Sequence, residues 1–129
     1  MRDHAADIGT NAGKIWSALN TNGTIDENKL KKITNLEKSD LYTAIGWLAR
    51  ENKISEENGH YKLEDTNLTS KIGSNAGKVW KILDIWGEVD VSIMSKLSEI
   101  NEHDIYQALG WLACEDKICI DSKMKYYLK

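Results

Sequence analysis

The residues able to do chemistry are few and dispersed, and their spacing excludes more than it offers. Gly9-Thr-Asn-Ala-Gly13-Lys14 imitates a phosphate loop. However, three residues rather than four separate its glycines, Ile15 stands where a Ser or Thr hydroxyl would meet the metal, and no strand signal precedes it. His4, His60 and His103 are scattered and share no pattern, so neither a metal cluster nor a catalytic base is expected. Cys114 and Cys119 lie five residues apart with no two further ligands nearby for zinc, and are read as reduced thiols. No set of nucleophile, base and orienting acid can be assembled. The expectation is a non-catalytic protein with no cofactor, no metal and no small-molecule ligand. Two features remain. Lys29, Lys31, Lys32 and Lys38 cluster against Glu37 alone, which suits phosphate contacts. Gly46-Trp47 and Gly110-Trp111 place a glycine beside a large aromatic in the middle of predicted helices.

The elements that carry these residues are written twice. Ile8 to Ile54 aligns with Ile72 to Ile118 without a gap, and 21 of the 47 positions are identical. A tandem duplication gives two units of one fold, assigned to residues 1–64 and 65–129. Each is close to the lower size at which one core sustains a domain, so the copies are expected to pack on each other about a pseudo-two-fold axis. Apolar runs are too short to span a bilayer. The acid-bearing start Met1-Arg-Asp-His-Ala-Ala-Asp does not resemble a secretory leader, so the expected compartment is cytoplasmic. Net charge is −3, divided −1 and −2 between the copies, and gives no general attraction to nucleic acid.

Periodicity orders the elements. A first helix is predicted to open after Thr10 or Asn11, with Ala12, Ile15, Trp16 and Leu19 as its buried stripe; Ala76, Val79, Trp80 and Leu83 repeat it. Gly23 and Gly87 stop these helices, and a short extended piece ends on a capping Asp26 or Asp90. A second helix turns Leu30 and Ile33, or Met94 and Leu97, inward. A third begins near Ser39 or Asp40 with Leu41, Ala44, Ile45 and Leu48 inside, matched by Ile105, Ala108, Leu109 and Leu112. Asn58-Gly59 then centres a hairpin from Lys53 to Leu63, with its twin from Lys117 to Leu128. Three helices and a hairpin wing in this order predict an α+β chain of two tandem winged helix-turn-helix domains.

The motifs Gly13-Lys14-Ile15-Trp16 and Ala44-Ile45-Gly46-Trp47-Leu48-Ala49-Arg50-Glu51-Asn52-Lys53-Ile54 recur as Gly77 to Trp80 and Ala108 to Ile118. In both copies they resemble a winged helix-turn-helix domain-of-unknown-function family of bacteria and archaea. Cys114, in place of Arg, is the departure from its pattern. The resemblance covers nearly the whole chain and implies the fold and a regulatory flavour, without an established activity.

Function therefore rests on the surface residues. Ser39, Thr43, Gly46 and Arg50 occupy the face of the third helix opposite its core stripe, with Tyr42 and Trp47 on the flanks. A DNA reader puts Arg, Lys, Asn or Gln on such a face. Here only Arg50 answers, and the twin face of His103, Gln107, Gly110 and Cys114 carries still less charge. The main expectation is a DNA-binding, transcription-associated regulator in which the first copy weakly grips duplex DNA through Lys29, Lys31, Lys32, Lys38, Ser39, Thr43 and Arg50. The alternative is a protein-interaction module without nucleic acid, contacting another protein or itself through Tyr42, Gly46, Trp47, Tyr106, Gly110 and Trp111. The mid-helix glycines either admit another backbone or make room for a Trp folded over its own domain.

Overall fold

The computed structural model describes residues 4–129. Met1 to Asp3, and the side chains of His4 and Ala5, lie outside the described residues, and with them most of the segment compared with a leader. In chain order the elements are α1 (His4–Asn22), β1 (Ile25–Asp26), α2 (Glu27–Thr34), α3 (Lys38–Arg50), β2 (Ile54–Glu57) and β3 (His60–Leu63). A turn of π-helix (Thr69–Gly73) then leads into α4 (Ser74–Trp86), α5 (Val91–Ser98), α6 (Glu102–Cys114), β4 (Ile118–Ile120) and β5 (Tyr126–Leu128). No described helix is long and apolar enough to cross a membrane.

Local chemistry accounts for the joints. Asp26 and Asp90 sit in extended backbone and accept from the amides of Lys29 and Ile93 at 2.8 and 2.9 Å, each satisfying a donor in the first turn of a helix. Gly23 and Gly87 take φ of 78° and 82° where α1 and α4 end. Asn58 and Gly59 both have positive φ, the requirement of a two-residue turn whose twist matches the strands, and β3 pairs with both β2 and β1. The second wing lacks such a turn. There the Asp121 carboxylate accepts from the amides of Lys123 and Lys125, and Val89 makes a single bridge to Tyr126.

Three expectations require correction. α1 does not start after Thr10 or Asn11 but six residues earlier at His4, because Ile8 is buried and extends the stripe by a turn. Thr10 is interior to the helix, its hydroxyl donating to the carbonyl of Ala6. Trp16 and Trp80 are not core residues: they remain 40% and 38% exposed while Ala12, Ile15 and Leu19 and their twins are buried. Ile33 and Leu97 likewise face outward, the buried side of these eight-residue helices being supplied by Leu30 in α2 and by Val91 and Met94 in α5.

The cores exchange residues across the repeat. Ile8, near the start of α1, packs in the core built by α4, α5 and α6, whereas Leu68 and Ile72 pack in the core built by α1, α2 and α3. The connecting segment is held in place. Asn67 binds the Glu56 backbone as a strand edge would, donating to its carbonyl at 2.8 Å and accepting from its amide at 3.0 Å, and Asn52 accepts from the amide of Thr66. This strap on the first wing delivers Leu68 and Ile72 to the first core.

Candidate interaction site

The third helices of the two copies cross at their glycines. A Cβ placed on Gly46 would lie 1.9 Å from the carbonyl oxygen of Gln107, and one on Gly110 would lie 1.8 Å from that of Thr43. Both approaches are to backbone. Only hydrogen fits, so α3 and α6 touch main chain to main chain, an arrangement in which Cα hydrogens point at carbonyl oxygens and add weak attraction. Gly46 and Gly110, like Thr43 and Gln107, are equivalent positions of the repeat, and the crossing therefore has approximate two-fold symmetry. The tryptophans have a separate seat. Trp47 packs against Gly9 and Trp111 against Gly73, at 3.2 and 3.3 Å from where a Cβ would stand, and each tryptophan touches both cores.

This crossing determines where the candidate residues lie. Thr43 is 3% exposed, with its hydroxyl donating to the carbonyl of Asp40, so its assignment to a DNA-facing surface is corrected: it is enclosed between the copies. Ser39 is half-buried. Arg50 is exposed, but its Nε pairs with Glu115 at 3.1 Å and its guanidinium stands 5.7 Å from the ring centre of Trp111. Lys29, Lys32 and Lys38 are exposed and Lys31 half-buried, on α2 and the first residue of α3, away from the crossing. Tyr42 and Tyr106 flank the seam. Tyr42 donates to Glu27 at 3.0 Å and meets the His103 ring edge-on at 4.0 Å, while burial together with the Glu27 carboxylate pushes its phenol up to about 12. Lys71 reaches Asp104 at 3.3 Å.

The pairing is not fully symmetric. By the repeat, Arg50 and Glu115 should be mirrored by residue 114 and Glu51, but residue 114 is Cys. Burial and Glu51 raise its thiol above the ordinary value, which makes it a poor thiolate. Gln107, only 2% exposed at the crossing, holds a side-chain nitrogen with no hydrogen-bond partner. Among the described residues no three His, Cys, Asp or Glu side chains converge as metal ligands.

Sequence reasoning missed Gly9, weighed only as part of a failed phosphate loop, and its twin Gly73, read only as a repeated position. Their recurrence alongside the repeated tryptophans was the available signal.

Two units, each of three helices closed by a hairpin, define a tandem winged helix-turn-helix protein. The family described as Winged helix-turn-helix domain (DUF2582) matches residues 1–64 and again 63–128, so the chain belongs to that family in two copies. No curated protein and no solved structure matches it.

Proposed function

We propose that the protein is a non-catalytic interaction module, in which the third helices join the copies and the outer faces dock other macromolecules in a regulatory role. One observation carries this reading: the face of α3 that a winged helix would lay in a major groove is enclosed by α6, with Thr43 and Gln107 both buried there. A major groove admits one helix, and a buried pair offers it no free base-reading surface.

A second reading is favoured by a separate observation. Lys29, Lys31, Lys32 and Lys38 lie outside the crossing, whereas the twin positions are Ile93, Ser95, Lys96 and Glu102. In this reading the first copy grips duplex phosphates through α2, with Ser39 and Arg50 at the margin, and binding is sequence-independent. About four neutralised phosphates give a logarithmic salt slope of roughly −4. An anisotropy titration with mixed-sequence duplex at low salt separates the two. No binding at ~100 μM, within the usual range for non-specific contacts, supports the interaction module. Binding that vanishes when the four lysines become Glu supports the phosphate grip.

A further inference from the structure

The second copy carries an exposed apolar surface that the first lacks. In the first copy a groove between α1 and α2 is lined by Gly13, Lys14, Ala18, Thr21, Asn22 and Ile33, among others. Shifted by the repeat, Ala18, Thr21, Asn22 and Ile33 become Ile82, Ile85, Trp86 and Leu97, and Lys29 on the adjoining turn of α2 becomes Ile93. Ile85 is 76% and Trp86 60% exposed, with Ile93 and Leu97 each a little under half exposed. The fold does not need these side chains, because the first copy builds the same helices with Thr21, Asn22 and Lys29 in their places. An exposed tryptophan among isoleucines is costly to solubility and is the composition of a docking surface.

The charges beside it select an occupant. Lys78, Lys81, Ile82 and Ile85 follow the i, i+3, i+4, i+7 spacing of one face of α4, and Ile93, Lys96 and Leu97 share a face of α5. All three lysines are exposed, and among the described residues none forms an ion pair. Asp84 on α4 and Glu88 just beyond its end instead line a separate depression with Tyr127 and Leu128. An apolar floor with a basic rim repels a second copy of itself, since face-to-face pairing sets lysine against lysine. We propose that the α4–α5 face binds an amphipathic helix of a partner protein, with the partner's apolar stripe on Ile85, Trp86, Ile93 and Leu97 and its flanking carboxylates on Lys78, Lys81 and Lys96.

This rests on the interaction-module reading, and the duplex titration above tests that reading separately. The probe is a dye-labelled synthetic helix of about five turns with Leu along one stripe and Glu on both flanks, titrated with the full chain. Saturable binding is expected, about tenfold or more weaker for the double variant Ile85→Thr with Trp86→Asn, which imports the first copy's own residues and so keeps the fold. Lys78→Glu with Lys81→Glu and Lys96→Glu should weaken binding similarly and make it insensitive to salt. The proposal is overturned by no saturable binding, by equal binding of the double variant, or by equal binding of a peptide with Lys flanks. It is also overturned if Trp86→Asn instead abolishes self-association in sedimentation or binding to phosphatidylglycerol vesicles, which would assign the face to a second copy or to a membrane.

Discussion

Replacing Gly46 by alanine adds one methyl group, and the structure says where it must go. Its carbon would stand 1.9 Å from the Gln107 oxygen and 2.7 Å from the carbonyl carbon, against ordinary contact from 3.4 Å outward, a shortfall of 1.5 Å at the oxygen. Neither atom can swing aside, because both belong to the backbone of α6. The helices must therefore separate, and a gap of 0.5–1 Å already forfeits roughly a quarter to a half of each dispersion contact along it. Overpacking of this kind costs about 1–3 kcal/mol or more, set against a gain of up to ~1 kcal/mol from alanine's helix propensity. The expected net loss is about 1–2 kcal/mol, roughly 3–8 °C in melting midpoint for a chain of this size. Gly13 supplies the internal control: it is also mid-helix, yet a Cβ there meets nothing within 4 Å, so Gly13→Ala should stabilise by about 0.5–1 kcal/mol. Urea and thermal unfolding followed by helical circular dichroism would measure both. Combining Gly46→Ala with Gly110→Ala should cost less than the sum, since helices parted by the first methyl receive the second more easily. If Gly46→Ala proves as stabilising as Gly13→Ala, the backbone-to-backbone crossing is refuted.

Other consequences follow from the same geometry. Residues 1–66 and 67–129 made separately should each be less stable than the intact chain and should recombine on mixing, because Ile8, Leu68 and Ile72 belong to the other half's core; two stable monomers with the parent's midpoint would sink this. Cys114→Arg should create the missing mirror of the Arg50 and Glu115 pair with Glu51 and add up to ~1 kcal/mol at low salt, a gain that should fade in 1 M salt. Stability should fall above pH ~10. Burial raises Tyr61 and Tyr126 above the free phenol, and burial with Glu27 takes Tyr42 to about 12, so the unfolded chain ionises first and stability present below pH 10 is lost as pH climbs toward 12. An unchanged urea midpoint between about pH 8 and 11.5 would contradict it.

The order of helices and wings and the inward stripe of α3 and α6 are legible because each rests on a local rule: a period, a capping Asp or, in the first wing, an Asn-Gly turn. What escaped is non-local. Trp16 and Trp80 have the spacing of core residues, but the stripe beside them is already filled by Ala12, Ile15 and Leu19 and their twins, and the tryptophans are left at its edge. Ile8 lies a turn before any cap signal, and the core that buries it is made by residues 68 or more positions away. Gly46 carried its meaning openly, as a glycine in the middle of a good helix, but only a second chain segment could show whether a ring or a backbone stood opposite it. The DNA-facing role given to Thr43 failed for the same reason: its exposure was judged on an isolated helix.

The exchange of Ile8 for Leu68 and Ile72 also bears on how the chain comes into being. A ribosome releases α3 while α6 is still unmade, and the 64 residues from Arg50 to Cys114 take on the order of 3–13 s to synthesise. During that interval the nascent first copy has neither Ile72 to complete its interior nor a neighbour over Gly46, and Ile8 has no interior to enter. Two nascent chains on one message could trade these parts, giving an intertwined pair of molecules in place of one. The Asn67 strap, which ties the connecting segment to the first wing of the same chain, favours each chain closing on itself.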